Sequence, residues 1–344
     1  MILTVTLNTA LDITYRVPRL TPHASHRVTA VTERPGGKGL NVARVLAALG
    51  HEVTVTGFAG GTTGETLRSL LADDAKGGSG HGDPQGRNGA APKSHNHPEP
   101  PTPRSTALTD ALIPTSGTTR RTVAVVDGET GDTTQLNEPG PLISSEEWNA
   151  LLGACRDLLP SASAVALCGS LPPGVPVGAY AHLVRAARAM DVPVLLDTSG
   201  APLRRGIAAR PDLIKPNAAE LAELTGHHEP LRAVRDARRR GAHGVVASLG
   251  ADGLLAVTPE GGWRAAPPAP VRGNPTGAGD SAVAALLAGI ARGDDWPARL
   301  SSAVALSAAT VAAPVAGEFD RSTYVELHPR VTVTEVATVP PSAP

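Results

Sequence analysis

Aromatic side chains are scarce, with three Trp, three Tyr and two Phe in 344 residues. A chain so poor in rings offers no platform for stacking nucleic-acid bases, and its core has to be filled by Ala, Val and Leu. Cysteine is scarcer still. Cys155 and Cys168 stand too far apart for a redox CxxC pair and are too few for a disulfide scaffold, which suits a reducing cytoplasm. Neither charge sign dominates, and a formal net charge of −1 gives no reason to expect nucleic acid or an anionic membrane surface as partner. No apolar run approaches the length of a membrane span, and Met1–Leu7 alternates like a strand without a basic leader. Gly-x-Ser-x-Gly and His-Glu-x-x-His are both missing, which weakens hydrolase and zinc-protease readings.

One further absence is local. Residues 75–106 hold no Val, Ile, Leu, Met, Cys or aromatic residue and are rich in Gly, Pro, Ser, Asn and His. Such a segment cannot bury enough apolar surface to offset its ordering entropy, so a disordered insertion is expected there. His81, His95 and His97 fall inside it, and a solvated loop explains them more simply than a metal tract.

What is present is regular. Apolar strands at 2–7, 53–58, 164–167, 192–196, 213–214 and 244–248 alternate with amphipathic helical patterns. That alternation means an α/β fold, a doubly wound and mostly parallel sheet with ligands at the C-terminal strand ends. The last helices are expected at 278–292 and about 297–313, followed by an irregular tail with a strand-like Val331-Thr332-Val333. Short β-like patches at 13–17 and 27–31, with a hairpin at 118–136, suggest a separate small sheet. Together they would form a flap carrying Arg27 and Arg120.

The chain is organised around Asn274-Pro275-Thr276-Gly277-Ala278-Gly279-Asp280-Ser281. Val283, Leu286, Leu287 and Ile290 fall on one helix face immediately after it. Gly277-Ala278-Gly279 therefore opens a helix, with free N–H groups and the positive dipole end forming an anion site. A carboxylate there is odd as structure, because it repels the anion. As a base taking the proton of a nucleophile that attacks a bound phosphoryl group, Asp280 makes sense. Gly277-x-Gly279-x-x-Ala282 also matches a dinucleotide fingerprint formally, yet no buried strand precedes it and no strand-ending acid follows about twenty residues on.

Upstream, Gly36-Gly37-Lys38-Gly39-Leu40-Asn41 allows close backbone approach to a ligand and adds a charge and an amide, without the Walker A ending. Asp12 follows the first strand and reads either as a site residue or as a turn former. Asn217 and Glu220 start a helix; they suit a hard cation near nucleotide phosphates, or simply a capping box. Ser248, Gly250 and Gly253 bracket a glycine turn able to lie against a nucleotide or to close a hairpin.

In this order, Gly36–Ala43 and Thr276–Asp280 resemble the PfkB (ribokinase-like) carbohydrate kinases. Thr6–Asp12, Gly169–Gly174, Asp197–Gly200 and Lys215–Leu221 are closer still to its 1-phosphofructokinases and tagatose-6-phosphate kinases. The resemblance spans nearly the whole chain apart from 75–106 and the last residues. It implies a kinase domain over 1–334, a β lid from about 12–34 and 118–137, and a tail at 335–344. It implies ATP-dependent, Mg²⁺-assisted phosphorylation of a ketohexose phosphate, first of all fructose 1-phosphate to fructose 1,6-bisphosphate, with tagatose 6-phosphate or fructose 6-phosphate as alternatives. A silent sugar-phosphate sensor and a nicotinamide oxidoreductase are the rivals of other classes. Carried over, Asp280 is the base and the Gly277, Ala278 and Gly279 amides the anion hole. Asp12, Arg27, Gly37, Lys38, Asn41 and Arg120 would hold the sugar phosphate. Asn217, Ser248, Gly250, Gly253, Gly277 and Gly279 would meet ATP, and Asn217 and Glu220 would serve Mg²⁺. The resemblance also allows a homodimer formed through the lid, without fixing the oligomeric state. Asn8-Thr9-Ala10 departs from the subgroup's Asn-Pro-Ala, a mild change in turn rigidity.

Overall fold

The computed structural model describes residues 1–75, 108–313 and 318–337. The expected insertion at 75–106 and the end of the tail therefore lie, but for Ala75 and residues 335–337, outside the described residues.

Strand β1 (Ile2–Thr6) is buried along its whole length and runs through the middle of an eleven-stranded sheet. After it the chain leaves for the small sheet through β2 (Ala10–Val17) and β3 (Ala30–Gly36), then enters α1 (Lys38–Ala48). It returns as β4 (Val53–Ala59), parallel to β1, and continues into α2 (Gly61–Ala75). Short β5 (Leu108–Asp110) and β6 (Ile113–Pro114) extend that edge. The hairpin β7 (Arg120–Asp127) and β8 (Thr133–Asn137) completes the small sheet in the order β3-β2-β7-β8.

From α3 (Ser145–Leu158) onward the winding is regular: β9 (Ala164–Cys168), α4 (Ala179–Arg188), β10 (Val194–Asp197), α5 (Gly200–Ile207), β11 (Leu213–Ile214). Then come α6 (Ala218–Thr225), α7 (Pro230–Arg239) and β12 (Gly244–Ser248). Strands β9 to β12 pair in parallel on the other side of β1. Beyond β12 the sheet turns antiparallel through β13 (Leu254–Thr258), β14 (Gly261–Ala266) and, after α8 (Ala278–Arg292), α9 (Trp296–Ala312) and α10 (Arg321–Leu327), β15 (Thr332–Glu335). Helices α5 and α7 extend the expected alternation. The tail is more ordered than its sequence suggests, because Asp320 caps α10 through the Thr323 amide and β15 pairs with β14.

Strand residues alternate between two cores. Ala164, Ala166, Cys168 and Leu195 face α1, α8 and α9, while Val165, Leu167, Val194 and Leu196 face α3–α7. Both faces being covered, the strands read as nearly continuous apolar runs. The arrangement brings the C-terminal ends of β1, β9, β10, β11 and β12 to one rim, with β1 as the point from which the winding departs in both directions. No helix among the described residues is long and apolar enough to cross a membrane.

Candidate active site

The rim gathers most of the residues singled out above. Gly277, at φ +86° in the left-handed region, turns the chain into α8. Asp280 then sits in the first turn, only 8% exposed. Ala278 donates its N–H to Pro275 O at 3.1 Å, so that amide is not available to an anion. The N–H groups of Gly277, Gly279 and Asp280 meet no acceptor among the described residues. Of the three amides expected at 277–279, those of Gly277 and Gly279 are thus open, joined by that of Asp280, while the αL turn folds the Ala278 amide back onto Pro275.

Burial pushes the Asp280 carboxyl up to about 6, and Asp197 nearby adds to it. Lys38, a hydrogen bond from Asn41 and Lys215 pull the other way. The Asn41 Nδ2 donates to Asp280 Oδ2 at 2.9 Å, which joins the early glycine loop to the late one across 239 residues. Gly37 adopts φ +99° as it leads into α1. At Gly39 a Cβ would come within 2.2 Å of Thr6 Oγ1, so only glycine lets α1 start this close to β1.

Lys38 donates to Asp197 Oδ1 at 3.2 Å. Burial disfavours its ammonium, but Asp197, Asp280 and Glu220 outweigh that and keep Lys38 charged. Lys215, buried at the end of β11, stands 3.9 Å from Asp197 Oδ2. A Cβ added to Gly279 would be 3.6 Å from the Lys215 Nζ, so this ammonium overhangs the start of α8. Asp197 and Lys215 are not among the expected site residues. Their motifs are visible in sequence, but the buried pairing of one carboxylate with two lysines from different loops is not.

The small sheet contributes the other wall. Asp12 lies opposite Arg34 on one side and Thr122 on the other, and the Thr122 hydroxyl donates to Asp12 Oδ1. A Cβ at Gly36 would fall 2.1 Å from the Asp12 Cγ, which explains the glycine. Burial raises the Asp12 carboxyl, against the Thr122 hydroxyl, Arg120 and Arg44. Arg120 is half-buried beside it, with Nε donating to Asn8 O at 3.3 Å and Nη1 to Glu138 O at 3.2 Å. Thr9, where the subgroup has proline, is buried and donates its hydroxyl to Phe58 O. A side-chain hydrogen bond replaces the rigid ring.

Arg27 is not brought to this group. It is exposed and lies beyond the Arg16–Ala30 end of the β2–β3 ladder, whereas Asp12 pairs with Arg34 near the base. Four residue steps separate Asp12 from Arg16, about 13 Å of rise. Gly253 (φ +82°) also has a structural reason, since a Cβ there would meet Ala265 O at 2.1 Å. Ser248 bridges to Asn217 and places the 249–253 turn beside the start of α6, where Gly250 is open and exposed.

Asn217 and Glu220 form a capping box: Glu220 N–H donates to Asn217 Oδ1 and Asn217 N–H to Glu220 Oε2, both at 2.9 Å. Glu220 keeps its second oxygen, and its charge is felt at Lys38. Among the described residues no group of three or more His, Cys, Asp or Glu could hold a metal ion. These residues fit a Mg²⁺ ion held chiefly by phosphate oxygens and water, which needs one carboxylate oxygen from the protein.

The family described as pfkB family carbohydrate kinase matches residues 5–75 and 105–321. A 1-phosphofructokinase of Rhodobacter capsulatus is 37% identical over 315 residues, covering 89% of this chain and 90% of that protein. The phosphofructokinase-2 of Escherichia coli in complex with fructose-6-phosphate superposes with a TM-score of 0.79 at 27% identity, covering 96% of this chain and 98% of that one. Its tetrameric inhibited form superposes with a TM-score of 0.78 at the same identity and coverage.

Proposed function

This chain belongs to the pfkB family of carbohydrate kinases, and we propose that its reaction is transfer of the γ-phosphoryl group of ATP to fructose 1-phosphate. That it is a sugar-phosphate kinase follows from the family and the relatives. The choice of sugar rests on the 37% identity with a 1-phosphofructokinase along nearly all of both chains.

The observation that carries the mechanism is the buried Asp280 carboxylate in the first turn of α8, flanked by unpaired amides and tied to the sugar loop by Asn41. In our reading the sugar lies over Gly37, Asp12 and Asn41, with its existing phosphate against Arg120. Asp280 takes the proton of the attacking hydroxyl as that oxygen bonds to the γ-phosphorus, and the bond to the ADP oxygen breaks. The Gly277, Gly279 and Asp280 amides receive the charge of the transferring group. Lys215 and Lys38, both beside Asp197, add positive charge. Asn217, Ser248 and Gly250 hold the nucleotide side, and Gly253 closes the turn by packing. Glu220, with Asn217, would hold Mg²⁺, whose charge neutralises the phosphate oxygens when bound. The small sheet covers the sugar and excludes water that would otherwise hydrolyse ATP.

Val28, Val31 and Leu136 are exposed apolar residues of the small sheet and its loop, which supports assembly of two copies through it. Arg27, out of reach of its own site, is then offered to the other copy. Two buried free cysteines suit the cytoplasm. An ADP-release assay over fructose 1-phosphate, fructose 6-phosphate, tagatose 6-phosphate and free sugars tests the substrate. Highest kcat/KM on either 6-phosphate would overturn our choice.

A further inference from the structure

The Arg120 guanidinium is seated by two backbone carbonyls from distant parts of the chain. One belongs to Asn8 at the end of β1, the other to Glu138 just after β8. The β2–β7–β8 ladder joins these segments through the backbone, with Ala10 paired to Arg120 and Glu138 N–H donating to Arg121 O at 3.2 Å. The Asn8 side chain adds a direct tie outside that ladder. Its Nδ2 donates to Pro139 O at 3.1 Å, the carbonyl next to that of Glu138, and to Ser170 Oγ at 3.0 Å, on the loop after β9.

Two further facts show that this junction is built for an amide. Gly140 adopts φ +100°, and a Cβ there would fall 2.3 Å from Asn8 Oδ1, so a glycine is needed for the 138–140 segment to pass this close. Asn8 is 5% exposed, and its Oδ1 is buried without a hydrogen-bond partner. An unpaired buried oxygen costs stability. Packing alone would be served better by an apolar side chain, so the donor group has to be the reason for the residue.

We propose that Asn8 is a positioning residue: its side-chain amide staples together the two segments whose carbonyls orient Arg120, and so sets where the sugar's phosphate is held. This rests on the reading of Arg120 as the phosphate ligand. Asn8 itself touches neither substrate; it acts through the guanidinium. With the staple gone, the Asn8 and Glu138 carbonyls are held only by the β2–β7–β8 ladder and the Arg120 fork loosens, while the Asp280 side of the site is untouched.

The test is a double-mutant cycle in the full-length enzyme with Asn8→Ala, Arg120→Ala and the pair, measuring kcat and both KM values. Asn8→Ala should raise the KM for fructose 1-phosphate about tenfold, with KM for ATP and kcat little changed, and should add almost nothing once Arg120 is gone. A purely structural role would lower kcat and both affinities together. If Arg120→Ala raises the sugar-phosphate KM but Asn8→Ala does not, or if the two effects simply add, the staple is refuted and the Arg120 reading survives. If Arg120→Ala leaves that KM unchanged, both fall. Should Asn8→Ala fail to fold, the near-isosteric Asn8→Leu, which keeps the volume and removes the donor, decides. A severalfold rise in the same KM supports the staple, and an unchanged KM overturns it.

Discussion

Replacing Asp280 by asparagine should make this protein more stable and nearly inactive, and the size of the gain should depend on pH in a defined way. The carboxyl titrates at about 6 in the folded chain against 3.8 for an ordinary aspartate. That difference of roughly two units corresponds to about 3 kcal/mol of native-state cost when the group is ionised. Below pH 3.8 the group is protonated in both folded and unfolded chains and the cost is absent. It grows as pH rises, because the unfolded chain ionises first, and is complete above the folded value near 6. The amide of the Asp280→Asn variant does not titrate and carries no such cost. The stability of the variant minus that of the wild type should therefore increase by about 3 kcal/mol between about pH 3 and pH 8. Every other titrating group is shared by the two proteins and largely cancels in the difference. Urea unfolding of both, without ligands, measures it. In the same variant kcat should fall by about two to four orders of magnitude at about pH 8, the usual contribution of a general base. A stability difference that does not change with pH would refute the idea that burial dominates Asp280. A difference of opposite sign would mean that Lys38 and Lys215 outweigh desolvation.

The wild-type kcat should itself fall on the acid side of about pH 6, to roughly a tenth of its plateau at about pH 5, and a flat profile down to about pH 4.5 would exclude Asp280 as base. Arg120→Ala should raise KM for the sugar phosphate about 10- to 100-fold, the worth of charge-assisted hydrogen bonds, and much less for an unphosphorylated analogue; equal effects would remove Arg120 from the phosphate. Glu220→Gln preserves a side chain able to cap Asn217, so thermal stability should hold while the Mg²⁺ concentration for half-maximal rate rises severalfold. No change in that concentration would leave Glu220 with capping alone. Val31→Lys places charge on the exposed apolar face of the small sheet and should shift sedimentation toward monomer; an unchanged sedimentation coefficient counts against a lid-to-lid assembly.

The legible parts of this chain are those written in local pattern. Apolar strands at regular spacing announce a parallel sheet, and the glycines before Lys38 and Asp280 announce tight turns into helices α1 and α8. What stays hidden depends on distance through space. Asp197 reads locally as a strand-ending acid; its pairing with Lys38 and Lys215 exists only once β9, β10 and β11 lie side by side. Sequence puts Arg27 over the site because its sheet can be foreseen while the register of that sheet cannot. Gly253 looks like a ligand glycine, and its reason is the Ala265 carbonyl of a neighbouring strand. Ala278 shows the finest limit. Its amide is counted in or out of the anion hole by one turn dihedral at Gly277.

Helix α8 has one further consequence. From Ala278 to Gly289 all its residues but Gly279 are buried, and its wall against α1 and α9 is built largely from alanine. Such a surface has almost no rotamer freedom with which to absorb an added methylene, so enlargement at Ala282, Ala284 or Ala285 would move the helix as a rigid rod. Asp280 rides on its first turn, and misplacement by about an ångström can cost roughly a hundredfold in rate. The substitutions that silence this enzyme without unfolding it should therefore trail down the interior of the helix, well away from any atom the substrates touch.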